Sequence, residues 1–415
     1  MSKLNLSKLN KRIRRLLIAL AGVTFTLTAC GLPTPNSNAP SGNSKIPALP
    51  TSPIELSVID VAGAQQLTQG MFDDYKASHP NLVSKITIIK APAPEIASRI
   101  KAQQQGGNVQ TDLVLTGSDG LSAGVAQNLW IQLLPNYAQK FPNLESNYLP
   151  AALKMQKLTQ GNGLLFTYTP SGPLLEYSSK VTDAPTSPQG LLDWAKAHPK
   201  KFEYARPANS GPGRTLLQGL PYLLGDKDPK DPINGWAKTW AYLQQLDQYI
   251  DYYPTGTAVT MKDLANGTRL MIASTMGWDI NPRALGTVPS DVNVSLLQTN
   301  GFHWMSDSQY MVVPRGIPDT HLAVVLDFLA YVLTPKEQAV TFDKGYFYPG
   351  PAVKNVAVTL APSDSQAVVQ KFGRPQYDQW IKAYPVEIAL DTTALNAAFD
   401  KWDRDIGGGG GRYHG

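Results

Sequence analysis

IELSVIDVAGAQQLTQGMFDDYKASHPNLVSKITIIK, Ile54 to Lys90, carries two hydrophobic periods in one run. Ile54 to Ile59 reads as a strand. Leu67, Met71, Phe72 and Tyr75 then recur at helical spacing until His79-Pro80 stops the helix, and Ile86 to Ile89 returns to a strand. The pattern continues downstream: Ile96 and Ile100 mark a second helix, and Leu113 to Leu115 leads into the turn-rich TGSDG. Such β-α-β-α-β alternation predicts a largely parallel sheet with helices on both faces, and ligands bind at the carboxyl ends of its strands.

A second series starts at GLLFTYT, Gly163 to Thr169. Ser187-Pro188 opens a helix through Trp194, KFEYARP forms a strand, and GRTLLQGLPYLLG resumes as helix. Trp236, Trp240, Leu243, Leu246 and Ile250 share one helical face, and Gly267 ends a short helix before the strong strand RLMIAST, Arg269 to Thr275. Asp319 starts an apolar helix through Leu333, and Thr334-Pro335-Lys336-Glu337 has the spacing of a capping box. No internal repeat is visible.

Outward from this body the composition changes. Residues 31–53 are Pro, Ser, Asn and Gly with hardly a hydrophobe, too polar to offset the entropy of ordering. A Gly-rich tail closes the chain at 407–415. The N-terminus has six cations and no acid in its first 15 residues, then an apolar segment of roughly a dozen residues, the halves of an export signal too short to span a bilayer. Leu27-Thr28-Ala29-Cys30 places the only cysteine of the 415 residues directly after it, where it resembles a bacterial lipobox. A thiolate is the side-chain nucleophile most readily alkylated, so Cys30 is expected to carry a lipid and become the mature N-terminus.

Export changes the charge argument. The 37 basic residues less the leader's six leave 31 against 32 acidic ones, so the formal net charge of +5 gives no reason to expect nucleic acid as a partner. The roughly 350 residues between the flexible ends exceed a comfortable single core and imply two lobes.

The order of parts resembles the extracellular solute-binding proteins of ABC importers, specifically the spermidine/putrescine-binding group, with iron- and thiamine-binding relatives nearby. The matching pieces are the lipobox and tether, GLLFTYTPSGPLLEYSSKV (163–181), LANGTRLMIASTMGWDIN (264–281), GFHWMSDSQYMVVPRG (301–316) and FLAYVLTPKEQAVTFDKGYFYPGPAVKN (328–355). The resemblance implies a two-lobed α/β periplasmic-binding-protein fold, type II-like, each lobe a mixed, mostly parallel sheet flanked by helices, with the ligand cleft between lobes. Carried onto this chain it gives a lipoprotein signal peptide at 1–29, a tether at 30–53, lobe 1 at 54–167 and 277–333, lobe 2 at 168–276 and 334–406, and the tail at 407–415.

Loops at strand ends supply the expected cleft residues. Asp60 ends the first strand, and Ser118 and Asp119 sit in TGSDG; helix or turn capping is the competing reading for all three. In MGWDIN, relatives place a tryptophan just after the return strand, so Trp278 is expected to stack on a ligand cation and Asp279 to pair with it. Polyamine binders have an aromatic-Trp-Met-Asp run; here Trp304 and Met305 are followed by an inserted Ser306 before Asp307, and one extra residue in an extended segment reverses a side chain's face. Tyr346 and Tyr348, with Tyr168 after the first crossing strand, complete the aromatic set implied by the resemblance. His303 reads as a surface or core histidine or as a pH-sensitive contact.

Arg214 is discordant. NSGPGRT precedes a helix whose first N–H groups and guanidinium suit an anion, which favours a zwitterion or phosphate ester; the same glycines also serve a simple turn.

Catalysis finds little support. There is no H-E-x-x-H, G-x-S-x-G or P-loop, the single cysteine is spent on attachment, and the five histidines show no metal-ligand spacing. The expectation is a monomeric, non-enzymatic receptor without metal or cofactor, lipid-anchored and facing the periplasm or cell exterior. It would capture a small polar, amine-bearing, polyamine-like solute by hinge closure and pass it to permease and ATPase subunits. The alternatives are a thiamine-like or phosphorylated cation in the same role, or a surface hydrolase on the same fold.

Overall fold

The computed structural model describes residues 44–61, 63–91, 93–298, 301–408 and 413–414. Cys30, the signal peptide, the tether up to residue 43 and most of the Gly-rich tail lie outside the described residues. Among the described residues no helix is long and apolar enough to cross a membrane.

The body is built on two sheets. In the first, β11 (Gly350–Pro351), β4 (Leu164–Gly172), β10 (Trp304–Val312), β3 (Leu113–Thr116), β1 (Ile54–Asp60) and β2 (Val83–Lys90) lie side by side in that order, and β12 (Val386–Glu387) extends β10 at one end. The second has the order β6 (Phe202–Glu203), β8 (Met271–Ser274), β5 (Leu174–Tyr177) and β9 (Asn293–Ser295). A separate two-residue pair joins β7 (Tyr253–Pro254) to β13 (Tyr413–His414).

The predicted β-α-β-α-β unit forms the parallel part of the first sheet, where β1 pairs in parallel with both β2 and β3. β2 is the edge strand. Its exposed Ser84, Lys85, Thr87 and Lys90 discourage a further strand from adding there. The middle of the sheet is antiparallel: β10 runs against β3 and β4, and all nine residues of β4 and of β10 are buried. β4 opens on the apolar run Leu164 to Phe166, whereas β10 carries Ser306 to Gln309 between its apolar ends.

Each sheet carries its own core. The first packs Leu56, Val58, Phe72 and Tyr75 against Val325, Phe328 and Leu329 of the helix Asp319–Val332, with the Phe72 and Phe328 rings stacked at 4.6 Å. The second gathers Trp236, Trp304, Tyr253, Tyr377 and Trp402. Trp236, just before the helix Ala237–Asp247, and Trp240 within it lie in this core, as their spacing predicts, each indole N–H satisfied by a backbone carbonyl.

The cores divide the chain differently from the expected boundaries. Residues 277–298, expected in lobe 1, belong to the second lobe: β8 leads into the helix Met276–Ala284, whose Ile280 is in the second core, and β9 pairs with β5. Residues 334–353, expected in lobe 2, belong to the first, because β11 pairs with β4 and Ala352 and Val353 join the first core. The first crossing falls at Gly172-Pro173, between β4 and β5, rather than after residue 167. A Cβ on Gly172 would stand 2.8 Å from Thr215 Oγ1, so the crossing passes tightly against the second lobe.

Two local expectations are also revised. Thr334 does not form a capping box; its hydroxyl donates back to the Tyr331 carbonyl at 2.8 Å, and Glu337 is turned fully inward. The described part of the tether lies on the first lobe, where Ser44 N–H donates to the Asn136 carbonyl at 2.8 Å and Ile46 packs against the core.

Beside the cleft the lobes touch along a seam between the helix Met276–Ala284 and residues 344–346. A Cβ on Gly277 would lie 2.0 Å from the Tyr346 carbonyl oxygen, and one on Gly345, at φ +76°, would lie 2.3 Å from Ile280 Cγ2. Both glycines permit backbone to approach backbone. Gly277→Ala is expected to cost about 1–3 kcal/mol through overpacking, read as a lower melting temperature; an unchanged melt would mean that the seam yields without resistance.

Candidate ligand cleft

The carboxyl ends of β1 and β3 open toward the second lobe. At the end of β1, Asp60 turns back and its Oδ1 accepts from Ala64 N–H at 2.8 Å, starting the helix Gln65–Ser78. At the end of β3, Gly117 leads into the helix Ser118–Ala126, and Asp119 Oδ1 accepts from Gly120 N–H at 2.8 Å. Both acids thus stand at helix starts, where the backbone dipoles favour negative charge.

The facing wall comes from three helix starts of the second lobe. Ser210 caps the helix Gly211–Leu223 by accepting from Gly213 N–H at 3.1 Å, and its hydroxyl meets Thr257 Oγ1 at 2.8 Å where the helix Thr257–Ala265 begins. Thr275 starts the third helix, Met276–Ala284, and Trp278 projects from its first turn. β10 contributes Asp307 and Gln309 from below.

These walls enclose connected chambers. An inner chamber of about 560 Å³ includes Asp119, Asn209, Arg214, Asp307 and Gln309. An outer one of about 1040 Å³ includes Asp60, Gln65, Gln66, Gln69, Lys90, Lys262 and Asn281. Trp278 and Tyr346 line both, their rings edge-on with centroids 5.8 Å apart. A third space of about 430 Å³ continues from the inner chamber past Asp119 and Asn209 toward Asn396 and Asp400.

Within the inner chamber, Arg214 Nη2 donates to Asp307 Oδ2 at 3.2 Å, and Asp307 Oδ1 accepts from Ser308 N–H. Burial works against the Arg214 charge, but the carboxylates of Asp307 and Asp119 more than offset it and raise its pKa. Burial pushes the Tyr346 hydroxyl up to about 12, helped by Asp60, Asp343 and Asp307, so it stays a hydrogen-bond donor. Gln309 is 8% exposed, and its Oε1 has no hydrogen-bond donor among the described residues. A buried carbonyl without a donor costs about 1–3 kcal/mol.

Of the residues expected in the cleft, Asp60, Asp119, Arg214, Trp278, Asp307 and Tyr346 line these chambers. Ser118 is half-buried at the start of its helix and is not among the lining residues. Tyr168 is buried in the first core, and burial raises its hydroxyl pKa. Tyr348 packs at the second core near Tyr377, and His303 lies on Tyr222 with its Nδ1 2.9 Å from the Gly301 carbonyl.

Trp304 is a correction. It is fully buried in the second core, its indole N–H donating to the Trp380 carbonyl at 3.0 Å. Trp304 and Asp307 are three residues apart on one strand, so the inserted Ser306 sends the tryptophan inward and leaves the carboxylate in the cleft. Gln309, one period beyond Asp307, is the residue that strand alternation could have added.

Asp279 is the other correction. It is fully buried, and its carboxylate accepts from Arg283 (2.7 Å), Arg374 (2.6 Å) and the Tyr377 hydroxyl (2.6 Å). No acceptor capacity is left for a ligand. Arg374 comes from residues 95 positions away, a distance no local pattern reveals. The cluster ties the C-terminal helices to the helix that carries Trp278.

Glu176 lies beside this cluster with the Ser274 hydroxyl donating to it at 2.7 Å. Burial pushes its carboxyl up to about 8, the Asp279 charge adds to the rise, and Ser274, Arg374 and Arg283 oppose it. Burial likewise raises Glu203 to about 8 against the pull of Arg269. In the unfolded chain both acids ionise near the ordinary value of 4.5. Between the two values the folded state holds the extra protons, so stability falls as pH rises. Urea midpoints should therefore decline from about pH 5 to about pH 8, and Glu176→Gln should flatten part of that slope; an unchanged slope would contradict the assignment to Glu176.

Among the described residues no group of three or more His, Cys, Asp and Glu side chains is arranged to hold a metal ion. No curated protein matches the sequence. Several solved structures share the fold. A putative extracellular solute-binding protein from Bordetella parapertussis superposes with TM-score 0.61 at 17% identity, covering 85% of this chain and 98% of that one. An ABC transporter protein from Clostridium perfringens gives 0.60 at 14%, covering 85% and 98%. A periplasmic thiamin binding protein gives 0.59 at 14%, covering 86% and 99%. The family model for bacterial extracellular solute-binding proteins matches residues 70–370, and with the two-lobed fold and its cleft this places the chain in the bacterial extracellular solute-binding protein family.

Proposed function

We propose that the protein is the solute receptor of an ABC importer and that its ligand is a small polar solute bearing an ammonium group, held in the inner chamber between the lobes. The observation that carries this reading is that Asp119, Asp307 and Gln309 line one chamber, and that the Gln309 Oε1 has no donor among the described residues. An ammonium has three donors and no acceptor, which suits the acceptor capacity that Asp119, Asp307 and Gln309 keep beyond their bonds within the fold. Trp278 and Tyr346 offer ring faces for the adjoining methylenes or cation, worth about 0.5–2 kcal/mol. Arg214 already has Asp307 as its partner, which weighs against a free anion in the same place.

The transport step follows from the two walls. A ligand touching the first lobe through Asp119 and the second through Trp278 favours the closed arrangement by its extra affinity for it, and permease subunits would read that arrangement. Attachment through a lipid on Cys30 would keep the receptor near them. The acyclic diamines remain the reference class, with thiamine-like cations as the alternative; neither Asp279 nor Trp304 contributes.

Calorimetric titration with putrescine, spermidine, thiamine and a neutral sugar tests the reading. Amines are expected to bind, with Trp278→Ala weakening them by up to about thirtyfold at nearly unchanged thermal stability. Trp304→Ala, by contrast, should lose about 3–5 kcal/mol of stability. Binding of the sugar alone, with all three amines silent, would sink the proposal.

A further inference from the structure

The proposed amine reading leaves the outer chamber and the third space unused, and their charges differ. The Arg214–Asp307 and Arg206–Asp403 pairs cancel internally. What remains at the inner end is acidic: Asp119, which lines both the inner chamber and the third space, and the exposed Asp400 farther along. At the opposite end Lys90 and Lys262 are both exposed into the outer chamber, one on each lobe, and neither is paired with a described acid. Asp60 is the acid in that lining; it is 2% exposed and its Oδ1 is occupied by the Ala64 N–H.

Acceptors therefore dominate one end of the cleft and donors the other, with the Trp278–Tyr346 pair between. The lysines bear on closure as well. Lys90 ends β2 in the first lobe, while Lys262 sits on the helix Thr257–Ala265 of the second. An anion between them would neutralise two like charges that lobe closure brings together, and its attraction would grow as water leaves. The carboxamide nitrogens of Gln65 and Gln69 on the first lobe and of Asn281 on the second already donate to Gln69, Asp73 and the Lys344 carbonyl, and each keeps one further N–H.

We infer that the ligand is amphoteric: an ammonium held at Asp119, Asp307 and Gln309, and a carboxylate or phosphate at the far end gripped jointly by Lys90 and Lys262. This rests on the amine reading of the inner chamber and adds the charge of the opposite end. A purely cationic diamine of the same length would place its second ammonium between two lysines.

The test uses two probes of matched length: putrescine, and the ω-amino acid in which one aminomethyl end is replaced by a carboxylate. Isothermal titration of the wild-type protein should show the amino acid binding about tenfold tighter or better, an advantage that shrinks with added salt. Lys90→Glu combined with Lys262→Glu should reverse the order, while circular dichroism melting stays unchanged because both side chains are exposed. Equal or tighter binding of putrescine by the wild type, or a preference that survives both substitutions, overturns this inference and leaves the amine reading standing. Silence of both probes overturns this inference, and silence of spermidine and thiamine as well overturns the two together.

Discussion

The antiparallel pairing of β4 with β10 at the centre of the first sheet is the constraint on which the rest depends. Every residue of both strands is buried, so a slip by one position would exchange the side chains packed on their two faces and send Asp307 and Gln309 away from the cleft. β4 leaves this pairing at Gly172 to become β5 of the second sheet, and β10 enters it from a second-lobe anchor, the Trp304 indole. The two lobes are thereby hung from one ladder. The cleft opens beside it, and Asp307 and Gln309 lie on β10 where that ladder meets the helix starts of both walls.

Charge is used in two ways on either side of this ladder. In the second lobe Asp279, Arg283, Arg374 and Tyr377 satisfy one another completely, and the cluster binds distant parts of the chain in register. Removing one member would strand buried charge, which costs far more than the intact cluster contributes. In the cleft polar groups remain partly unspent: Gln309 Oε1 has no donor among the described residues, Asp119 lines the chamber, and Lys90 and Lys262 stand on opposite walls. Rigid satisfied charge positions the helix that bears Trp278, and unsatisfied polar groups await a solute.

The pattern from Ile54 to Leu115 is legible because hydrophobic period and turn residues are local properties; strand β1, its following helix, β2 and β3 appear where those signals place them. Helix starts at Ser187 and the strand before Thr275 are legible for the same reason. Asp60 and Asp119 could be named because strand ends in an α/β sheet collect at one edge; Trp278 and Tyr346 were implied by the resemblance to relatives. Misreadings cluster where a second element decides: Asp279 was claimed by Arg374, Trp304 by the Trp380 carbonyl, and Glu337 turned inward rather than capping its helix.

By itself the sequence determined the alternating elements and the stretches whose ends face a ligand, since each rests on residues within a few turns of one another, and its length and its resemblance to relatives implied the two-lobed class. The tertiary structure alone decided which sheet β8, β9 and β11 joined, and hence which lobe owns residues 277–298 and 334–353. It also decided which acids are spent within the fold and which are left for a solute. Both depend on partners tens to hundreds of positions away, brought to bonding distance only when the chain closes on itself.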